Sequence, residues 1–129
     1  MNKENLKLMA DYIETVPQAN FNMRRLREGQ QTERECDSVG CVLGHCTVID
    51  ENPLPLHKSG EIDFAAWSRE FTGLPSFSDK WRYLFSGHWV TVDNTPMGTA
   101  SRIRYFLEYG LPKNWYKQMA GIEPPSYIR

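Results

Sequence analysis

Long apolar runs and an excess of either charge are both missing from this sequence, and each absence excludes a class of protein. The 129 residues carry 15 basic and 16 acidic side chains, for a formal net charge of −1. A near-neutral chain has no long-range field that would steer it onto nucleic acid. No apolar stretch approaches the roughly 20 residues of a membrane span. The sequence therefore argues against both a nucleic-acid-binding protein and a membrane protein.

Cysteine is also scarce. The chain contains three, an odd number, and its first residues, MNKENLKLMADYIETV, include no apolar core of a signal peptide. This combination indicates free thiols or metal ligands in a reducing compartment, not a disulfide framework. Hydrophobic residues make up 40% of the chain, which permits a packed core. We expect a single globular domain over residues 1–129, located in the cytoplasm.

The pattern of apolar residues predicts an all-α fold, a compact irregular bundle of about six short helices around a buried central helix. The central helix should cover roughly residues 39–49, because this run is apolar almost all round. A buried strand over residues 46–49 is the alternative, since periodicity alone does not exclude it. Residues 89–92 could be extended, which would allow one short strand pair.

Caps and stop residues predict the other helices. The first should run from residue 3 to residue 14 behind an Asn2 cap, and residues 20–37 should form an exposed loop. In the helix that opens at Thr95-Pro96, Met97 and three later apolar residues should face the core. Residues 123–129, which include two prolines, should form an extended C-terminal tail. The remaining helix starts are marked by Asp63, Ser78 and Pro112.

One segment carries a dense set of chemically active side chains, with the pattern Cys36-x4-Cys41-x3-His45-Cys46. On a helix that begins near residue 39, Cys41 and His45 share a face, as helical zinc ligands do. Cys36 could curl back to the same point, whereas Cys46 is rotated by about 100° from His45. Cys36, Cys41 and His45 are therefore candidate zinc ligands, with a fourth ligand to come from elsewhere in the chain.

The same residues support two other interpretations. A thiol near a helix N-terminus has a lowered pKa and a larger thiolate fraction, so Cys36 or Cys41 with His45 as base could form a catalytic dyad. Alternatively, Cys41 and Cys46 are small buried hydrophobes and His45 is a hydrogen-bonded core histidine. The preference of free cysteine for protein interiors favours this structural interpretation.

A second candidate site lies between Asp93 and Arg102. The N-terminus of the helix that opens at Thr95-Pro96 offers backbone N–H groups, and hydroxyl groups and Arg102 lie nearby in the sequence. Such an arrangement can bind an anion. An ordinary well-capped helix explains the same residues and is the simpler interpretation. The candidate ligand-binding residues are Asp93, Asn94, Thr95 and Arg102.

Three blocks of the sequence resemble a family of small uncharacterised proteins of tailed phages and bacterial genomes: NLKLMADYIETVPQANFNM, CDSVGCVLGH and WVTVDNTPMGTASRIRYFLEYGLPKNWYKQM. The resemblance covers nearly the whole chain. It departs from the family at Cys36-Asp37-Ser38, where relatives have Cys-Gly-Thr. The resemblance implies a phage setting and no particular activity. The positions that match the family blocks are Cys36, Cys41, His45, Asp93, Asn94 and Thr95.

Taken together, these features favour binding over catalysis, because the chain shows no complete catalytic set. Our leading hypothesis is a phage-type accessory protein in the host cytoplasm that binds a host or anti-phage defence component, either a protein or a small nucleotide signal. The enzyme alternative is a thiol-dependent hydrolase or transferase that uses Cys36 or Cys41 with His45. The third hypothesis is a zinc-stabilised protein-interaction module.

Overall fold

The structure of the protein is a computed structural model, and it describes residues 1–16, 40–90 and 93–127. Six α-helices lie in these ranges, and a short 3₁₀ turn, Thr47–Ile49, continues the second. The helices are α1 (Lys3–Ile13), α2 (Gly40–Cys46), α3 (Phe64–Thr72), α4 (Asp79–Phe85), α5 (Pro96–Tyr109) and α6 (Trp115–Met119). The predicted all-α bundle is confirmed.

Strand structure is limited, within the described residues, to one isolated antiparallel bridge between Leu56 and Ile62. Of the predicted strand at 89–92, residues 91 and 92 lie outside the described part, and Trp89 and Val90 are not in a strand. The predicted loop over residues 20–37 also lies outside it. None of the described helices is long and apolar enough to cross a membrane.

Side-chain caps set the helix starts as the sequence predicts. Asn2, Asp63, Ser78 and Thr95 each accept a hydrogen bond from the backbone N–H three residues later. Each bond satisfies one of the N–H groups that a helix start leaves without an intrahelical partner. These four caps fix where α1, α3, α4 and α5 begin.

The core lies where α1 packs along α5 and against α2 and α3. One face of α1 is fully buried, and so is one face of α2. The buried residues are Leu6, Met9, Ala10 and Ile13 of α1 and Val42, Leu43 and Cys46 of α2. The α2 helix therefore has the buried position that its apolar sequence predicts.

Two details of the prediction are wrong. Met97 is exposed, because the buried side of α5 is centred on Thr99, Ile103 and Phe106, and a helical position 97 falls opposite to it. Val48 is exposed as well. At that point the chain has left the α-helix for the tighter 3₁₀ turn, which changes the direction in which the side chain projects.

Replacing Leu43 by Ala should lower the free energy of unfolding by about 2–5 kcal/mol, the usual cost of a cavity in a packed core. The matched control is Val48→Ala in the adjoining 3₁₀ turn, where the exposed side chain predicts a change within about 0.5 kcal/mol. Urea denaturation of both variants measures the difference. Equal losses would contradict the central position of α2.

Candidate functional site

The cysteine–histidine cluster lies only partly within the described residues. Cys36 and the side chain of Cys41 are outside them, so the zinc site and the catalytic dyad stay predictions. His45 is half-buried near the end of α2. In the part of the chain that is described, no three His, Cys, Asp or Glu side chains are placed to hold a metal ion.

The thiol of Cys46 points into the core. It is fully buried, and its Sγ lies 3.9 Å from the backbone oxygen of Met9 in α1. Burial raises the pKa of Cys46 well above its ordinary value, because a low-dielectric environment disfavours the charged thiolate. Cys46 is therefore an unreactive packing residue.

Iodoacetamide should label Cys46 only as fast as the protein unfolds, since alkylation needs an exposed thiolate. Mass spectrometry of the native protein over time, with fragmentation to separate the three cysteines, measures this rate. The urea-unfolded protein is the control, and there Cys46 should label at once. Rapid labelling of Cys46 in the native protein would contradict its burial.

Arg102 occupies the centre of the second predicted site, but it is fully buried. Its Nη1 donates to the backbone oxygen of Asp93 at 3.1 Å, and its Nη2 donates to the backbone oxygen of Leu84 and to the Thr99 hydroxyl, both at 3.3 Å. These bonds fasten the end of α4 and the loop before α5 to α5 itself. A buried guanidinium needs such partners to offset the loss of its hydration.

Aromatic rings close around the same group. The guanidinium lies over the Trp89 ring, 4.3 Å from its centroid, where the negative face of the indole attracts a cation. The rings of Tyr83 and Tyr127 meet Trp89 edge-on, with centroids 5.6 and 6.0 Å away. We call Tyr83, Trp89, Asp93, Arg102 and Tyr127 the Arg102 centre.

Inside the Arg102 centre, burial and the neighbouring polar groups shift the pKa of Arg102 in opposite directions. Burial lowers the pKa of Arg102, whereas Tyr127, Tyr83 and Asp93 raise it. Burial raises the pKa of Tyr127 to about 12, while the nearby Arg102 lowers it and Asp93 raises it. The Tyr127 phenol thus stays neutral at physiological pH.

The structure brings the four predicted ligand-binding residues together at the start of α5. Asp93 is buried, Asn94 donates to the backbone oxygen of Gly87 at 3.2 Å, and the Thr95 hydroxyl caps the helix by accepting from the Gly98 N–H. The hydroxyl and guanidinium groups that would hold an anion are therefore already engaged within the protein. This geometry favours a well-capped, internally braced helix start.

A different feature, which the sequence pattern did not indicate, lies in the loop from residue 73 to residue 78, called here the Phe77 loop. Phe77 has a φ of +63°, and among the described residues it is the one non-glycine with a positive φ. A side chain with a Cβ pays roughly 1–2 kcal/mol for this conformation. The Phe77 ring is nevertheless 56% exposed, with one side resting on Trp81 at a centroid distance of 4.6 Å.

Hydrogen bonds brace the Phe77 loop on both sides of Phe77. The Ser76 hydroxyl donates to the backbone oxygen of Ala65 at 2.8 Å, and the Ser78 N–H donates to the backbone oxygen of Pro75 at 3.2 Å. Ser78 also caps α4. The exposed ring is consequently carried by an ordered backbone.

Comparison with known proteins identifies no matching family model, no matching curated protein and no matching solved structure. The chain's function is therefore argued from its own residues.

Replacing Arg102 by Met should lower the free energy of unfolding by about 3–5 kcal/mol, because the buried backbone oxygens of Leu84 and Asp93 and the Thr99 hydroxyl would lose their guanidinium donor. The matched control is Arg104→Met, two residues along α5. Arg104 is partly exposed and pairs with Asp11 and Glu14 of α1 at 3.0 and 2.6 Å, and exposed ion pairs contribute far less. Urea denaturation at low and high salt distinguishes the two variants. Only the loss of unfolding free energy in Arg104→Met should become smaller as the salt concentration rises. A small Arg102 loss would contradict the role of the centre.

Proposed function

We propose that this protein acts by binding another protein, with the Phe77 loop as the contact surface and Phe77 as its anchor. The proposed partner is a host or anti-phage defence protein in the host cytoplasm, the setting that the resemblance to phage proteins implies. The observation that supports this proposal is the exposed aromatic ring of Phe77 on a strained backbone.

Neither stability nor solubility accounts for this residue. A glycine at position 77 would avoid the strain of a φ of +63°, and a polar residue would suit the solvent better. Strained residues that persist in a fold cluster at functional sites. A large exposed aromatic is also the residue type that most often anchors a protein–protein interface.

The order of the loop adds to the case for binding. A partner that meets a braced loop loses less conformational entropy than one that must order it, so a rigid loop binds more tightly for the same contacts. The N-terminus adjoins the same loop. The Asn2 N–H donates to the backbone oxygen of Thr72 at 2.6 Å, and the exposed Met1 lies against Gly73. The exposed Met1 side chain adds apolar surface at the start of the Phe77 loop.

A protein partner fits these contacts better than a small nucleotide signal. A nucleotide phosphate needs cationic or N–H donors that are open to solvent, and the donors at the start of α5 are buried or engaged with Asp93, Leu84 and Thr99. The Phe77 loop offers an apolar ring and backbone groups, which suit a protein surface.

Replacing Phe77 by Gly should weaken binding strongly with little effect on folding. We expect the partner's Kd to rise at least about thirtyfold, equivalent to ~2 kcal/mol, the threshold for an interface anchor. The free energy of unfolding should change by less than about 1 kcal/mol, because relief of the backbone strain offsets the lost contact with Trp81. Affinity capture from bacterial lysates identifies the partner, and titration of the purified pair measures the Kd.

The matched control for this experiment is Leu8→Gln on α1. Leu8 is 52% exposed, similar to Phe77, but it lies on an unstrained helix. Its substitution should leave the Kd within about twofold, since scattered exposed apolar residues carry no binding energy of their own. Equal losses from both substitutions would contradict an anchor at Phe77. Capture of a nucleotide with no protein would contradict a protein partner.

A further inference from the structure

The C-terminal segment is attached to the Arg102 centre by its last described residue. Tyr127 is only 5% exposed, and its ring and hydroxyl lie beside Trp89, Arg102 and Asp93. The neighbouring Ser126 exchanges two hydrogen bonds with the buried Gln118 of α6: its N–H donates to Oε1 at 3.0 Å, and its hydroxyl accepts from Nε2 at 2.8 Å. We call residues 123–127 the C-terminal latch.

The two prolines make the backbone of the latch stiff, so that its residues move together. Pro124 and Pro125 restrict its dihedral angles, so that Ser126 and Tyr127 are carried together. The turn between α6 and the latch passes through Gly121, which has a φ of +78° and leaves no room for a Cβ, since one would lie 2.7 Å from Val90 Cγ1. Gly121 therefore serves as the turning point at the base of the latch.

Little buried apolar surface holds the latch closed. Of its residues, only Tyr127 is buried. At its base, Glu123 accepts a hydrogen bond from Asn114 and pairs with Lys117 at 3.6 Å, where both side chains are substantially exposed. Segments with so little buried apolar surface open at a lower free energy than a packed core.

The closed state also leaves polar atoms unsatisfied near the latch. Within the described part of the chain, the Nε of Arg102 and the hydroxyls of Tyr83 and Tyr127 are buried without a hydrogen-bond partner. Burying a donor in this state is unfavourable, because it has lost its bonds to water. Opening of the latch would let water reach these atoms, which reduces the cost of opening.

From these contacts we infer that the C-terminal latch opens by itself, without unfolding of the helix bundle, and so controls solvent access to Arg102. The Tyr127 ring covers the Arg102 centre by packing edge-on against Trp89, whose indole lies over the guanidinium. In the closed state Arg102 braces the start of α5. In the open state its guanidinium is available to outside reagents.

Chemical modification of Arg102 tests the latch in the full-length protein. Phenylglyoxal, an arginine-specific reagent, should modify Arg102 at least tenfold faster in a Tyr127→Ala variant than in the wild-type protein. Mass spectrometry of each arginine gives the rates. The exposed Arg82 serves as an internal reference, and its rate should be the same in both proteins. A Tyr127→Phe variant keeps the ring that packs on Trp89 and loses only a hydroxyl without a hydrogen-bond partner. Its Arg102 rate should stay close to that of the wild-type protein, which shows that a substitution at position 127 does not by itself disrupt the fold.

The matched control is Tyr116→Ala, an exposed tyrosine on α6, which should leave the Arg102 rate unchanged. Native-state hydrogen exchange provides the second measurement in the wild-type protein. The Ser126 amide should exchange at least tenfold faster than the Ala10 amide of α1, after correction for intrinsic rates, and with little dependence on denaturant. An Arg102 rate that is the same in wild type and Tyr127→Ala would overturn the proposal. So would a Ser126 amide with the stability and denaturant dependence of Ala10.

Discussion

The guanidinium of Arg102 is a buried polar group that four segments of the chain share. The end of α4, the loop before α5, the first turns of α5 and the C-terminal segment all converge on one side chain. A buried guanidinium is unfavourable by itself, since it leaves water for a medium of low dielectric constant. It is tolerated here because each segment supplies one part of its surroundings, and no single segment would suffice. Its neighbours are Leu84, Trp89, Asp93, Thr99 and Tyr127.

This shared requirement explains the backbone around the start of α5. The loop must fold back closely enough for the Asp93 carbonyl to reach Arg102, and at that distance a Cβ on Gly98 would lie 2.5 Å from the same oxygen. Position 98 therefore has to be glycine, although glycine lowers helix propensity. Thr95 compensates in part by capping the Gly98 N–H. One buried charge thus accounts for a cap, a glycine and a loop conformation.

Local chemistry made the fold largely predictable. Caps such as Asn2 and Asp63 act within four residues, so the helix starts could be predicted. The spacing of apolar residues indicates which face of a helix is buried, so the buried position of α2 could be predicted too. The Arg102 centre could not, because its partners are separated by up to dozens of residues and an arginine in a helix usually indicates a surface. The sequence does place Thr99, Arg102 and Phe106 on one side of α5. It does not show that α4 and Tyr127 pack against this side and bury it. The strain at Phe77 could not be predicted either, because nothing in the residue types around it indicates that this phenylalanine has a positive φ.

The structure has two unfavourable features, the buried charge of Arg102 and the backbone strain at Phe77. They differ in which interactions offset their cost. The charge of Arg102 is offset within the fold by bonds and rings from several segments, so its retention needs no outside partner. The strain at Phe77 is offset by little more than one face of Trp81, while the rest of its ring meets solvent. A strained and exposed residue of this kind is typical of a functional site. The proposed contact surface is therefore the Phe77 loop, while the Arg102 centre braces the helix bundle.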